Sequence, residues 1–402
     1  MEGKKVIVGV TGGIAAYKAA ELVRLLVKAG AHTKVAMTTN ATRFVTPLTF
    51  EALSGNRVVW DMWKPDSAPM DHITWGQNVD LILIAPATAN FISKMAHGIG
   101  DDFLSTMILA ATAKILVCPS MNTQMFLNPA VQKNIGELKE RGYSLMEPSE
   151  GELACGTEGP GRLPEPVHIL EQARILLSDQ DLSGLRILVT AGPTVEPIDP
   201  VRYITNRSSG KMGYALAGAA RRRGAEVMLV SGPTDLKPPV DVTFCQVKTT
   251  EEMKRAVLDR SEQYDVIIKA AAVSDYRPRE KSAQKIKKQN EIQSIELVRN
   301  PDILAELGKK RGNSRRILVG FAAETEDLLA NATEKLRQKN LDMIVANDVS
   351  REDAGFESDN NLVKVIYRNG EMEDFPLMAK EEVADQLLER IKELWESRSS
   401  SR

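Results

Sequence analysis

Residues Arg186–Gly213 read RILVTAGPTVEPIDPVRYITNRSSGKMG. Arg186–Thr190 is a short apolar run, a strand candidate, and it enters a long loop dense in Gly, Pro, Ser and Thr. Met212–Arg223 then turns helical. Its small residues Gly213, Ala215, Ala217, Gly218, Ala219 and Ala220 allow close packing on a sheet. Strand, Gly-bearing loop and helix N-terminus together form an anion cradle, because unpaired N–H groups and the helix dipole point at whatever sits there. The N-terminus has the same layout: KKVIVGV, then TGGIAAYK, then a helix. The chain therefore reads as two nucleotide-type α/β units in tandem.

Its length of 402 residues suits two domains, and an apolar content of 43% is ample for two cores. A net charge of −2 provides no bulk field for nucleic acid or an acidic membrane. The longest apolar runs, such as VDLILIAPATA, fall short of the roughly 20 residues a bilayer needs. No signal-peptide pattern opens the chain. Three cysteines, Cys118, Cys155 and Cys245, fit a reducing compartment, and four histidines without a CxxC argue against structural zinc. A cytoplasmic protein without nucleic-acid or membrane partners is expected.

Strands are expected at Lys4–Val10, Thr33–Thr38, Val79–Ala85 and Lys114–Cys118, with a helix over Ile14–Ala29. Trp60–Trp75 and Glu147–Pro166 read as loops. After a boundary at Asp179–Gly184, strands are expected at 186–190, 225–230, 242–247, 264–270, 292–298, 316–321, 341–346 and 361–367. The helices between them are expected at 211–223, 250–260, 301–311 and 326–340. Ala379–Trp395 reads as an amphipathic helix and the final SRSSSR as disordered. Strands alternating with helices imply parallel sheets covered on both faces.

In the first unit, Gly12 and Gly13 lie at a strand-to-helix turn. They either admit a phosphate close to the backbone or form a plain βα turn. The pattern is not GxGxxG, so dinucleotide binding is not specifically indicated. Thr38, Thr39, Thr88 and Asn90 lie at carboxyl ends of strands, where open α/β sheets bind ligands. Their hydroxyls and amide suit a mononucleotide such as FMN. His72, in a Pro/Met/Asp/Trp loop, reads either as an exposed histidine or as a site residue. Asn122 follows a buried strand at the same sheet edge, as a turn residue or a ligand contact. Cys155, in ACGTEGPGR, is the cysteine in a polar loop, where Arg162 would favour its thiolate. Cys118 and Cys245 read as ordinary buried thiols.

In the second unit, Asn206 precedes Ser208–Ser209–Gly210–Lys211, and Asp275 ends the small-residue run KAAAVSD. Lys285, Lys287 and Lys288 form a basic loop near the Gly-rich cradle, suited to polyphosphate. Lys335 and Lys339 share a helix face. They repel there unless an anion or carboxylate lies between them.

Together, GGIAAYK, the His72 loop, APATAN, PSMN, ACGTEGPGR, AGPTVEPIDPVRYITNRSSGKMG, AAAVSDYR, KIKK, RNPDIL, VGFAAET and the Lys335/Lys339 helix resemble one family. It is the bacterial bifunctional phosphopantothenoylcysteine decarboxylases/phosphopantothenate–cysteine ligases of coenzyme A biosynthesis, and the likeness covers nearly the whole chain. It implies an α/β fold of two tandem Rossmann-like units. A flavodoxin-like FMN-dependent decarboxylase domain would span 1–178, a linker 179–184, a nucleotide-binding ligase domain 185–397 and a disordered tail 398–402.

The resemblance also implies chemistry. A cysteine-derived carboxylate loses CO2 poorly because the carbanion has no sink. Oxidation of the thiol to a thioaldehyde, with FMN as acceptor, supplies one, and the enethiolate left after CO2 loss is then reduced with Cys155 as proton donor. Asn122 would hold the substrate carboxylate, His72 would move protons or orient that group, and Met121 would pack beside it. Gly12, Gly13, Ile14, Thr38, Thr39, Thr88, Asn90 and Met121 would bind FMN.

In the ligase, the carboxylate of 4'-phosphopantothenate attacks the α-phosphate of CTP, and L-cysteine displaces CMP from the acyl-cytidylate. Lys285 and Mg2+ would stabilise the charge gathering on phosphate, with Asp275 as a metal ligand. Ala271, Ala272, Val273, Asp275 and Phe321 would recognise the nucleotide, and Asn300, Pro301, Asp302 and Ile303 would present a helix N-terminus. Lys335 and Lys339 would hold phosphates, and Asn206 would polarise the acyl carbonyl. The likeness implies a homo-oligomer of trimeric flavoprotein units and dimeric ligase units, with a dodecamer as one such assembly. A two-domain NAD(P)-dependent dehydrogenase and a non-catalytic nucleotide-binding scaffold are the alternatives from other classes.

Overall fold

The structure is a computed structural model. It describes all residues except 64–69, 153–155, 157, 288–293, 313, 325–326, 349–357 and 401–402, and the side chains of Glu152, Ala323, Glu324, Asp348, Ser399 and Ser400. Cys155 and Lys288 thus lie outside the described residues. The chain forms two compact units, Met1–Ser178 and Asp179–Arg402.

The first unit holds strands β1 (Lys5–Val10), β2 (His32–Met37), β3 (Leu81–Ala87), β4 (Lys114–Pro119) and β5 (Ser144–Leu145). They pair in parallel in the order β2-β1-β3-β4-β5. Helices cover both faces, so β1, β3 and β4 are buried along their length apart from Lys5 and Lys114 at the start of β1 and β4. Val6, Val8 and Val10 pack in one core with Ala19, Leu22 and Leu26 of the helix Ala16–Lys28. Ile7, Ile82 and Ile84 pack in the other with Phe91, Leu104 and Met107.

Two expected loops contain regular structure. The helix Asp71–Gln77 begins inside Trp60–Trp75 and runs two residues past it, and it carries no side-chain cap, hence no start signal. Glu147–Pro166 contains the antiparallel pair β6 (Ser149–Glu152) and β7 (Glu158–Arg162). Glycine at 151, 159 and 161 hides these strands from a propensity reading.

The second unit holds β8 (Arg186–Ala191), β9 (Val195–Pro197), β10 (Tyr203–Thr205), β11 (Glu226–Ser231), β12 (Thr243–Gln246), β13 (Val266–Lys269), β14 (Tyr276–Pro278), β15 (Leu297–Arg299), β16 (Ile317–Glu324), β17 (Met343–Asp348), β18 (Asn360–Tyr367) and β19 (Met372–Ala379). Eight of these form one sheet in the order β12-β11-β8-β13-β16-β17-β18-β19. It is parallel as far as β17 and antiparallel beyond. β9 pairs with β10, inside the loop read from the opening stretch, and β14 pairs with β15.

The helix Lys211–Arg222 lies close on β8: a Cβ at Gly213 would stand 2.5 Å from the Ala191 Cβ. The last helix runs Lys380–Ser400, further than expected. Arg398, read as the start of a disordered tail, donates to the Arg315 and Arg316 carbonyls at 2.9 Å and binds buried Asp342. Hydrogen bonds to a buried partner thus order a polar sequence. Residues 401–402 of the expected tail lie outside the described residues.

Candidate functional site

In the first unit the carboxyl ends of the parallel strands open into a cavity of about 850 Å3. Gly12, Gly13 and Ile14 line it from the turn after β1, Thr38 and Thr39 from the end of β2, and Thr88 and Asn90 from the end of β3. Met121 and Asn122 line it after β4. Parallel strands bring these separated stretches to one edge.

Local hydrogen bonds fix the floor. Thr11 Oγ1 donates to the Pro86 carbonyl at 2.7 Å and accepts from the Thr88 N–H at 3.0 Å. Thr88 caps the helix Ala89–His97, accepting from the Phe91 N–H. Asn122 Oδ1 accepts from the Gln124 N–H at 2.8 Å, so this residue caps a short helix while lining the cavity.

Glycine at 12 has a reason the sequence did not show. A Cβ there would lie 2.5 Å from the Asn40 Cβ, so the protein's own loop needs that space. At Gly13 a Cβ would meet the Thr88 methyl at 3.4 Å, ordinary contact.

Sequence reasoning missed Lys18, Lys94, Asp101, Asp102 and Ser120, which also line the cavity. Lys94 pairs with Asp101 at 2.6 Å and Asp102 at 3.0 Å. Burial disfavours its charge, but the two carboxylates outweigh that and hold its pKa above the ordinary lysine value. The signal was faint: Asp102 also forms a capping box with Ser105, so it reads as a helix start.

β7 reaches the cavity through Gly161 and Arg162. Gly161 has φ +146°, and a Cβ there would stand 2.2 Å from the Met121 carbonyl oxygen. The Met121 N–H in turn donates to the Gly161 carbonyl at 3.0 Å. Gly161→Ala is therefore expected to part β7 from the Met121–Asn122 turn at a cost of about 2 kcal/mol. Thermal melting checks this: the variant should melt lower, and a parent melting temperature would contradict the close approach.

His72 sits in the first turn of the helix Asp71–Gln77, half-buried, and is not among the residues lining this cavity. Of the cysteines described, Cys118 is buried, and burial pushes its thiol far above the ordinary range, so it is inert. Cys245 is half-buried on β12, less enclosed than expected.

In the second unit the expected residues gather around the segment after β13. Ala272 bridges to Pro193, and its N–H donates to the Gly192 carbonyl at 3.0 Å. Asn206 Nδ2 donates to the Val273 carbonyl at 3.0 Å. The Asn300 N–H donates to the Asp275 carbonyl at 2.8 Å, and Asn300 Nδ2 donates to the Ser274 carbonyl at 2.8 Å. Asn300 Oδ1 accepts from Arg277, so this side chain is committed to the scaffold.

Beneath lies a buried polar network. Glu196, 2% exposed, accepts from the Thr250 N–H and hydroxyl at 2.9 and 2.6 Å. Thr194 Oγ1 accepts from the Ser274 N–H and bonds Thr250 Oγ1. This network ties the loop after β8 to the loop after β13 through residues distant in sequence.

Asp302 caps the helix Ile303–Lys310, accepting from the Ala305 N–H at 3.0 Å, and pairs with Lys339 at 2.9 Å. Pro301 lies beside it, and Ile303 is buried in the core. A carboxylate thus does stand at the Lys335/Lys339 face. Burial of Asp302 opposes its charge, but the Ala305 N–H and Lys339 hold its pKa below the ordinary value.

Lys285 is exposed on a loop latched through its neighbour. The Ile286 N–H donates to Asp199 at 3.1 Å, and Arg202 donates to the Ile286 carbonyl at 2.7 Å. Asp199 is buried, which opposes its charge. The Val201, Arg202 and Ile286 N–H groups and the Arg202 guanidinium nevertheless hold its pKa well down.

Phe321 follows Gly320, the β16 partner of Lys269, and packs half-buried against the core on one face of the sheet. Among the described residues no three His, Cys, Asp or Glu side chains group into a metal site, so Asp275 has no such company.

The Flavoprotein family model matches residues 1–177, and the model of the DNA/pantothenate metabolism flavoprotein C-terminal domain matches residues 182–394. The coenzyme A biosynthesis bifunctional protein CoaBC of Bacillus subtilis (strain 168) is 47% identical over 396 residues, 97% of either chain. The chain belongs to the CoaBC family. The CoaBC protein of Escherichia coli (strain K12) is 46% identical over 396 residues, again 97% of either chain. A crystal structure of the C-terminal domain of a CoaBC protein matches 55% of this chain and 100% of that domain at 46% identity, with a TM-score of 0.47. As a CoaBC-family member the chain is a bifunctional enzyme of coenzyme A biosynthesis, decarboxylase and ligase. Among its described residues no helix is long and apolar enough to cross a membrane.

Proposed function

We propose that the two activities divide between the units. Met1–Ser178 decarboxylates phosphopantothenoylcysteine with FMN, and Asp179–Arg402 joins 4'-phosphopantothenate to L-cysteine with CTP and Mg2+ through an acyl-cytidylate. The observation that carries this reading is the cavity of about 850 Å3, where nine of the ten described residues expected around flavin and substrate carboxylate, all but His72, form one wall set, together with the matching of a different family model to each unit.

 The nine are Gly12, Gly13, Ile14, Thr38, Thr39, Thr88, Asn90, Met121 and Asn122. The tenth is His72, and Cys155 lies outside the described residues.

The residues present fit FMN. The cavity is roomy enough, and threonine hydroxyls, the Asn90 amide and the N-terminus of the helix Ala89–His97 suit phosphate and ring-edge polar atoms. Bound flavin would accept electrons from the substrate thiol and return them after CO2 is lost. Asn122 would hold the substrate carboxylate, with Met121 packed beside it. Cys155, which falls in sequence between β6 and β7, would supply the proton to the enethiolate. His72 would serve a cavity completed by a neighbouring copy, as expected if trimers share flavin pockets.

In the second unit Ala271, Ala272, Val273, Asp275 and Phe321 would receive the nucleotide, with Asn300, Pro301, Asp302 and Ile303 as its opposite edge. Lys335 and Lys339 would bind phosphate. Mg2+ would be held chiefly by phosphate oxygens and Asp275, as suits an ion that keeps much of its water. Lys285 would offset charge at the reacting phosphate, and Asn206 would hold the acyl carbonyl. The enzyme would work in the cytoplasm as a homo-oligomer of trimeric first units and dimeric second units, a dodecamer being one such assembly.

The test is an absorbance scan of the purified protein, followed by assay of pyrophosphate. The protein should be yellow, and it should release pyrophosphate from CTP only when phosphopantothenate is supplied, in a single turnover without cysteine and continuously with it. A colourless protein that fails to take up FMN, or no pyrophosphate, would contradict the reading.

A further inference from the structure

β13 reads VIIK and lies at the centre of the large sheet, between β8 and β16. Val266, Ile267 and Ile268 are buried, as a central parallel strand requires. Lys269 then puts an ammonium where a fourth apolar residue would be ordinary. Alternation sets it on the face of Ile267, whose core includes Ile303, Leu304 and Leu336.

Its charged neighbours there are Lys339, Asp302, Asp275 and Lys335. Asp302 is already committed to Lys339 and to the Ala305 N–H. The hydrogen bond Lys269 does make, to the Ala271 carbonyl, is long at 3.4 Å. Burial, with Lys339 next in effect, pushes its pKa down to about 8, against the pull of Asp302 and Asp275. Lys269 thus stands near Lys339 at the carboxyl end of parallel strands, the edge where such sheets take ligands, with a weak hydrogen bond of its own and with Asp302 engaged by Lys339 and the Ala305 N–H. A phosphate oxygen would give this ammonium the strong acceptor it lacks.

We propose that Lys269 is a phosphate-binding residue of the ligase site, sharing with Lys339 the triphosphate of the incoming nucleotide. This rests on the reading of the second unit as the nucleotide-dependent ligase. Lys269 would leave the Ala271 carbonyl for phosphate oxygens, a stronger charge-assisted bond.

The test uses the full-length protein and its Lys269→Met and Lys269→Arg variants, with calorimetric binding of CTP, CMP and inorganic triphosphate. Lys269→Met is expected to weaken CTP and triphosphate by about tenfold, the effect of one hydrogen bond to a charged group. CMP affinity should stay unchanged, Lys269→Arg should keep CTP near the parent affinity, and the methionine variant should melt no lower, since it removes a half-buried charge with a weak hydrogen bond. Unchanged CTP affinity in Lys269→Met, an equal loss for CMP and CTP, or a lower melting temperature with parent affinities would overturn the proposal. If the parent binds no CTP and releases no pyrophosphate, the ligase reading itself fails, and the proposal with it.

Discussion

Lys285→Gln is expected to cut acyl-cytidylate formation by about a hundredfold to a thousandfold, the usual loss when one group stabilising transition-state charge is removed. The reasoning is electrostatic. Charge gathers on the α-phosphate before cysteine takes part, so loss of the cation is felt in the first half-reaction. The substitution leaves the loop in place, because the loop is held by main-chain bonds of Ile286 to Asp199 and Arg202. Asn206→Asp should act later. The intermediate forms, but its capture by cysteine slows, since a carboxylate cannot donate to the acyl carbonyl. It also loses the bond to the Val273 carbonyl. Rapid-quench detection of labelled acyl-nucleotide separates the two, and equal loss of intermediate in both variants would reject the separate roles.

Cys155→Ser is the second large effect. An acid is needed only after CO2 has left, when the enethiolate is protonated and reduced. Serine keeps the shape, but an alcohol is a far weaker acid than a thiol of pKa about 8.5. The variant should oxidise substrate and release CO2, then stall with bleached flavin and an oxidised enethiol product. His72→Asn should stop earlier, with flavin still oxidised. Anaerobic mixing with phosphopantothenoylcysteine, followed by absorbance and CO2, distinguishes them. Turnover of Cys155→Ser to 4'-phosphopantetheine at the parent rate would remove Cys155 from the chemistry.

The parallel strands and the residues gathered around the first unit's cavity were legible because both follow from local pattern. Apolar runs such as Leu81–Ala87 mark buried strands, and small or hydroxyl residues just after them mark the ligand edge. What was missed depends on contacts across sequence. The pair Lys339–Asp302 joins the ends of two helices, and the network of Thr194, Glu196, Thr250 and Ser274 joins β9, a helix start and the loops after β8 and β13. Lys269 carries no signal in the sequence, because its surroundings come from helices distant along the chain. The hairpin β6–β7 was hidden by its glycines, one of which, Gly161, is needed because the Met121 carbonyl occupies the space of a side chain. Arg398 looked like tail, and only buried Asp342 orders it.

The division of labour is tested most directly by cutting the chain between Ser178 and Asp179, since each unit has its own sheet and cores. Each purified fragment is given both sets of substrates, and products are identified by mass. The first fragment is expected to be yellow and to convert phosphopantothenoylcysteine to 4'-phosphopantetheine without CTP. The second is expected to be colourless and to make phosphopantothenoylcysteine with release of pyrophosphate. Soluble fragments of which neither is active alone, or flavin retained by the second, would contradict the account.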